Sequence, residues 1–212
     1  MKPSRLVTFL VALALIIAAA RISDQFGQVR ELTSPDTDKS LDIERYSNEP
    51  LELVGLKVGE QVLKHKITSK FMNGDAGLDT VNFKERNGWF KRILITMRNV
   101  SGRSIYGISA FLYFVPPGSR TLYSLPLVAS TILKQGVVEP GAEITLTVSD
   151  QAWRLTSGIL DKHGVDPDYA SVQFSLGMVQ FTNDLKWSRG KLLHPDPNNP
   201  NKWNVIEKKI RP

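Results

Sequence analysis

Hydrophobic residues alternate with polar ones over much of the chain from Leu51 onward. The segment EITLTV at 143–148 shows this most clearly, because Ile144, Leu146 and Val148 fall on one side of an extended chain. A period of two residues is typical of β-strands with one buried face. The pattern therefore predicts a mainly β body that begins near Leu51.

Four further segments predict where strands lie in the sheet. RILITMRN at 92–99 alternates in the same way, whereas SIYGISAFLYFV at 104–115 is apolar on both faces, as in a central strand covered on both sides. In SVQFSLGMVQF the apolar phase slips after Gly177, which indicates a β-bulge. Pro126 cannot donate to a ladder, so LYSLPLVA is predicted to be an edge strand.

One helix is expected near 150–163, with Ser149 as its cap and Gly164 after its end. The expected apolar face holds Ala152, Leu155 and Ile159, with Trp153 and Leu160 alongside. Asn183 and Asp184 lie between two strand-like segments and predict a hairpin connection. About seven strands and one packed α-helix predict a mainly β fold, a two-sheet antiparallel immunoglobulin-like sandwich.

The N-terminus has the features of an export signal. Lys2 and Arg5 precede the run 6–20, which is apolar except for one threonine, and small residues end it at Ala20, before Arg21. As a helix this run would rise about 22 Å, less than the hydrocarbon core of about 30 Å. Residues 1–20 are therefore predicted to be a hydrophobic helix that acts as a cleaved signal peptide or as a retained signal anchor. Either outcome makes the rest of the chain extracytoplasmic, periplasmic or secreted.

Three regions follow the export signal. Residues 21–50 are polar and weakly periodic and are interpreted as a spacer, and residues 51–193 as the β-sandwich domain. Residues 194–212 begin with HPDPNNPNKW, where three prolines predict an extended, solvated tail. Trp203, with the apolar pair after it, is expected to dock this tail on the body. A loop that binds a partner is the alternative.

Composition limits the classes of function. The 212 residues, 42% of them hydrophobic, are enough for one good core. The net charge of +6 is scattered, so nucleic-acid binding is not expected. The chain contains no cysteine, which excludes a thiol nucleophile, a thiolate zinc site and a lipoprotein anchor.

The stretch 93–148 resembles the FxLYD-type β-sandwich domain of bacterial extracytoplasmic proteins. The resemblance is carried by ITMRNVSGRSIYGISAFLYFVPPG and LKQGVVEPGAEITLTV, in which Asn99, Tyr113, Pro140 and Gly141 occupy the positions of that pattern. Phe114 stands where the family often has an acidic residue. The resemblance implies the fold, no enzymatic activity and no defined ligand.

Reactive side chains form no recognisable constellation in the sequence. His65, His163 and His194 have no metal-ligand spacing, and no serine lies in a G-x-S-x-G context. No catalytic residue, metal or cofactor is therefore predicted. Acids of the segments DKHGVDPDY and NGDAGLD are interpreted as turn residues, with cation binding as the alternative; they are Asp161, Asp166, Asp168, Asp75 and Asp79.

The tryptophans are the best candidates for a binding surface. Trp153 is expected in the core, whereas Trp187 and Trp203 are flanked by polar residues and are predicted to contact a partner or ligand. The alternative for Trp187 is that it closes an end of the core, as Trp89 would. Asn99 heads a glycosylation sequon in a predicted turn.

We expect an exported, non-catalytic interaction or structural module with an unidentified protein partner in the cell envelope. The N-terminal segment would hold it to the membrane if uncleaved. One alternative is a carbohydrate-binding module in which Trp187 and Trp203 stack on a glycan. The other is an unrecognised hydrolase that uses acids between Asp161 and Asp168.

Overall fold

The computed structural model describes residues 36–64, 76–86, 88–116, 120–129, 136–164 and 169–207. Within these ranges the strands are β1 (Thr37–Tyr46), β2 (Leu51–Val58), β3 (Gln61–Val62), β4 (Ala76–Glu85), β5 (Ile93–Asn99), β6 (Ile105–Phe114), β7 (Tyr123–Ala129), β8 (Glu143–Val148), β9 (Ser171–Phe181), β10 (Lys186–Ser188), β11 (Lys191–Asp196) and β12 (Asn199–Glu207). A 3₁₀ helix spans Trp89–Arg92, and helix α1 spans Asp150–Lys162. The fold is mainly antiparallel β with one α-helix among the described residues, as the sequence predicts.

Hydrogen bonds join these strands into one twelve-stranded network with the order β12-β11-β10-β9-β6-β7-β8-β5-β2-β3. Strand β9 is the branch point, because β6 pairs along one of its edges while β1 and β10 share the other. Strand β1 runs parallel to β9 and pairs on its far side with β4. The sheet therefore divides at β9, with β1 and β4 on one branch and β10 to β12 on the other.

Alternate positions along the strands point into one hydrophobic core. On β5 the buried positions are Ile93, Ile95 and Met97, as the alternation predicts. On β9 the buried positions change from Val172, Phe174 and Leu176 to Val179 and Phe181. The register explains this change, since Ser109 pairs with Met178 while Ala110 pairs with Leu176, which leaves Gly177 as an extra residue. The predicted bulge is confirmed.

Two predictions about neighbouring strands are wrong. Strand β7, which contains Pro126, is not at an edge, because it pairs with both β6 and β8. The proline is tolerated because pairing with β8 begins at the next residue, Leu127. Strand β6 is central, but only one of its faces is fully buried, and Phe111 and Tyr113 on the other face are half-buried.

Helix α1 forms where it is predicted, with a buried face that differs in part from the predicted one. Ser149 caps it by accepting a hydrogen bond from the backbone N–H of Ala152 at 3.1 Å. Leu155 and Ile159 are 64% and 47% exposed, so the prediction is wrong for these two residues. Ala152, Trp153 and Leu160 pack on the core as predicted. The buried residues are Thr156 and Leu160, and Trp153 packs beside them at 5.0 Å from the Phe90 ring. The threonine occupies a core position that hydrophobicity alone does not reveal.

The folded domain starts earlier than the sequence indicates. Residues 37–46 form β1, with Leu41 and Ile43 buried, so the spacer predicted over 21–50 is wrong for this part. The strand escapes recognition because buried Lys39 and Arg45 share the inner face with these two apolar residues. The predicted signal peptide, with Ala20 and Arg21, lies outside the described residues.

The predicted C-terminal tail is a β-hairpin over most of its length. Strands β11 and β12 pair antiparallel across the Pro197–Asn198 turn, where the Asp196 carboxylate accepts a hydrogen bond from the Asn198 N–H at 2.9 Å. Pro195 and Pro200 are accommodated because the register of the hairpin is interrupted twice and β12 is an edge strand. The tail therefore extends the sheet.

An aromatic cluster closes one end of the core. Phe90 packs against Phe114 and Tyr169, with ring centroids 5.6 and 5.4 Å away. The Trp89 indole N–H donates to the backbone carbonyl of Tyr169 at 2.9 Å and its ring meets Phe83 edge-on. The 3₁₀ helix thus ties the start of β5 to the start of β9. Among the described helices, none is long and apolar enough to cross a membrane.

Candidate functional site

The two tryptophans predicted to bind a ligand occupy different environments. Trp187 on β10 has no exposed surface. Its indole N–H donates to the side-chain oxygen of Asn48 at 3.3 Å, and its ring meets Tyr46 edge-on at 5.5 Å. A ring in this position offers no face to a sugar or a partner. Trp187 is therefore removed from the predicted binding surface, and its role is to anchor the hairpin branch to the core.

Trp203 on β12 stays half-buried at the surface of the hairpin. The ammonium group of Lys186 lies 3.6 Å from the centroid of its ring, a cation–π contact that docks β12 on β10. Desolvation by burial lowers the pKa of Lys186. Val205 and Ile206, predicted to help clamp the tail, are instead 54% and 56% exposed.

The structure has two candidate binding surfaces, and strand β12 is the more accessible of them. In the described part of the chain it pairs only with β11, so its other edge is open. Asn199 and residues 201–206 are exposed or half-buried, and none of them enters the core. A nine-residue strand of this kind offers backbone donors and acceptors together with two exposed apolar side chains.

The second candidate surface is the side of strands β4, β1, β9, β6 and β7 that points away from the hydrophobic core. We call this side the outer face. Residues directly opposite each other in a sheet point to the same side, so the register defines rows across the five strands. The first row is Leu78, Glu44, Ser175, Phe111 and Pro126. The second row is Thr80, Asp42, Gln173, Tyr113 and Ser124.

Glu44 is the centre of a hydrogen-bond network on the outer face. One carboxylate oxygen accepts from the Tyr46 hydroxyl at 2.8 Å, and the other accepts from the Ser175 hydroxyl. Burial raises the pKa of the Tyr46 phenol above its ordinary range, and the bond to Glu44 raises it further. Asp42 is held in a similar way, because the Thr80 hydroxyl donates to it at 2.6 Å. Both carboxylates are therefore held in place by neighbouring hydroxyl groups.

A cavity of about 620 Å³ opens where the outer face reaches the start of β1 and β9. Its lining includes the third row, Asn82, Ser40 and Ser171, together with Asp38, Lys39, Phe83, Lys84 and Ala170. The Lys84 ammonium nitrogen lies 3.9 Å from a carboxylate oxygen of Asp38, across the β1–β4 pair. The outer face thus ends in a concave region at the start of β1 and β9.

The remaining candidate residues do not come together in the described chain. His163 and His194 are exposed, and they lie on different elements, at the end of α1 and on β11. Asp161 is exposed, while Asp79 is buried on β4. His65, Asp75, Asp166 and Asp168 lie outside the described residues. Within the described ranges no group of three or more histidine, aspartate or glutamate side chains could hold a metal ion.

The sequon asparagine has a structural role. Asn99 is 1% exposed, and its amide donates to the carbonyls of Arg103 and Val138 at 2.7 and 3.0 Å. Its oxygen accepts from the Ser101 hydroxyl at 2.7 Å. The side chain organises the turn between β5 and β6 and is not presented to a glycosylating enzyme.

Sequence reasoning missed the outer face for two reasons. Asp42 and Glu44 lie in the segment interpreted as a spacer, and Phe111 and Tyr113 in a strand predicted to be covered on both sides. The alternation of polar and apolar residues within residues 38–46 was the signal that could have revealed strand β1.

Comparison with known proteins finds no matching family, no matching curated protein and no matching solved structure.

Proposed function

We propose that the protein is an exported, non-catalytic interaction module that binds a protein partner of the cell envelope through strand β12. The observation that carries the proposal is a nine-residue edge strand in which no described side chain is buried. Ordering each residue of such a strand costs about 1–2 kcal/mol of backbone entropy. The side chains of β12 do not offset this entropy cost by burial in the chain's own core. A partner that covers the strand would offset it.

Strand addition is the binding mode that fits this edge. An extended segment of the partner would pair with the open backbone groups of β12, which supply affinity. Val205 and Ile206, exposed side by side, would supply apolar contacts on the two faces of the extended sheet. Lys202 and Pro200 on the same strand are the kind of residues that discourage unselective edge pairing.

The proposed location follows from the N-terminal sequence. The basic start, the apolar run 6–20 and the small residues before Arg21 support export, with cleavage after Ala20 or retention as a membrane anchor. Determining the N-terminus of the mature protein would test this: a first residue of Arg21 indicates cleavage, and an intact Met1 indicates an anchor.

We also interpret the fold as an immunoglobulin-like sandwich of the FxLYD type. The turn at Asn99, the turn with Gly141 at φ 80° and the alternating strand β8 support this interpretation. Burial of one face on most strands is what two packed halves of a folded-over sheet require.

Photo-crosslinking from β12 would test the proposed function. A crosslinking residue at position 205 or 206, in the protein expressed in its native envelope, should give a discrete adduct with one partner. Leu122, which is 61% exposed and lies outside the strands, is the matched control for apolar exposure. Adducts of equal yield from both places, or none from β12, would contradict the proposal.

Hydrogen exchange would then test the mode of binding. With the purified partner bound, the backbone amides of residues 199 and 201–207 should exchange more slowly, because strand addition engages them in hydrogen bonds. Protection confined to other strands would show that the partner binds elsewhere.

A further inference from the structure

We propose that the outer face binds a neutral glycan, with Phe111 and Tyr113 as the platform on which a sugar ring lies. This site is separate from β12 and goes beyond the proposed protein partner. The two rings are neighbours on β6, 5.9 Å apart and tilted by 37° to each other. Both are half-buried, so each keeps some accessible apolar surface on the outer face, where Leu78 and Pro126 are the apolar residues at the two ends of the Phe111 row.

Hydrogen-bonding groups flank this platform on the side of Tyr113. Gln173, which is half-buried, and Ser124, which is exposed, lie on either side of Tyr113 in its row. Ser175 beside Phe111 is 2% exposed, and its hydroxyl donates to Glu44. Adjacent strands are about 4.8 Å apart, close to the length of one pyranose ring. A sugar chain lying across the strands along the Tyr113 row would therefore meet the polar side chains of Thr80, Asp42, Gln173 and Ser124.

The charge of the two central rows selects the ligand. These ten residues include two carboxylates, Asp42 and Glu44, and no lysine or arginine, although the whole chain carries a net charge of +6. Carboxylates accept hydrogen bonds and repel anions, so the rows oppose nucleic acids, phosphate groups and acidic glycans. A neutral ligand rich in hydroxyl donors matches them.

The preorganised carboxylates strengthen this argument. Glu44 already accepts from the hydroxyls of Tyr46 and Ser175, and Asp42 from that of Thr80. Each carboxylate has about four lone-pair positions, so both keep acceptor capacity for further hydroxyl groups. The side chains are fixed before binding, which reduces the entropy that a ligand must overcome.

Calorimetric titration of the full chain, in a detergent without sugar groups, would test the proposal. The probes are neutral hexasaccharides of β-1,4-linked glucose, α-1,4-linked glucose and β-1,4-linked N-acetylglucosamine. We expect one of them to bind, and Tyr113→Ala and Phe111→Ala each to weaken binding by about tenfold or more. Asp42→Asn, which keeps the shape of the side chain, should weaken binding by about threefold or more because an acceptor becomes a donor.

Trp203→Ala is the control, because it removes a surface aromatic ring from the other branch of the sheet and should leave glycan binding unchanged. If no hexasaccharide binds at millimolar concentration, or if Trp203→Ala abolishes binding while the β6 variants bind normally, the proposal is overturned. A dimer that dissociates on Phe111→Ala and Tyr113→Ala would also overturn it, because a second copy would then cover the face. None of these results changes the crosslinking outcome expected from β12.

Discussion

The guanidinium Nε of Arg45 lies 2.6 Å from a carboxylate oxygen of Glu49, and both side chains are buried, at 7% and 1% exposure. The pair links the end of β1 to the turn that precedes β2. Arg45 is the last residue of the inner face that begins at Lys39 and contains Leu41 and Ile43, so the core ends in a charged pair at this point. Its Nη1 atom is buried without a hydrogen-bond partner among the described atoms, which makes the guanidinium depend on Glu49.

Removing one partner of this pair should destabilise the fold strongly. We expect Glu49→Ala to lower the free energy of unfolding by about 3–5 kcal/mol, because it leaves a buried charge without compensation. The combined change Arg45→Met and Glu49→Leu should recover most of the loss. Urea unfolding would measure both. The exposed pair Lys84 and Asp38 is the control: if Asp38→Ala is as damaging as Glu49→Ala, the buried pair has no special role.

Strand β1 should be as important for stability as the strands that the sequence predicts. Ile43 is 2% exposed, between β4 and β9. Ile43→Ala should therefore cost about 2–5 kcal/mol of unfolding free energy, the range for a truncated core residue. Thr37→Ala, at the exposed start of the same strand, should have little effect. If thermal unfolding shows that Ile43→Ala and Thr37→Ala both leave the stability almost unchanged, the interpretation of this segment as a spacer is restored.

The two tryptophans of the hairpin branch should differ clearly in their contribution to stability. Trp187→Ala removes a fully buried ring and should cost about 3–5 kcal/mol. Trp203→Ala removes a half-buried ring and its contact with Lys186, and should cost about 1–2 kcal/mol. Chemical denaturation of the single variants measures the difference. The reverse order would mean that Trp187 is not in the core.

Alkaline pH should destabilise the protein through Tyr46. The raised pKa means that the folded chain holds the phenol proton more tightly than the unfolded chain does. This contribution is fully present below the ordinary tyrosine pKa of 10.0 and is lost as the pH rises above it. We expect Tyr46→Phe to reduce the fall of the urea midpoint between neutral pH and pH values above 10.0. Tyr106→Phe, at an exposed tyrosine, should keep the wild-type slope.

The local hydrophobic pattern was sufficient to predict strands in which every second residue is apolar and buried. On β5, β8 and β9 the apolar residues occupy every second position, and the slip at Gly177 appears in the sequence as a change of phase. The cap of α1 at Ser149 is equally local, since one hydroxyl meets a backbone N–H in the first turn. These features depend on neighbours in the chain and could be predicted from it.

The hydrophobic pattern did not predict the structure correctly where a buried position is polar or where an apolar position is exposed. Lys39 and Arg45 disguise β1, and Thr156 takes the core position on α1 that Leu155 was expected to fill. The prolines of β11 and β12 suggested a loop, although an interrupted register at an edge accommodates them. In each case a partner distant in sequence determines the result.

The sequence by itself determined the mainly β fold, the bulge, the position of the helix and the absence of cysteine chemistry, because these follow from periodicity, capping and composition. Only the tertiary structure decided that Asp42 and Glu44 share a face with Phe111 and Tyr113, since strand order brings them together over about seventy residues of chain. The same holds for the tryptophans: polar neighbours flank both, but only the packing of β10 against Tyr46 buries Trp187 and leaves Trp203 at the surface. Burial is a property of long-range contacts, and no local spacing encodes it.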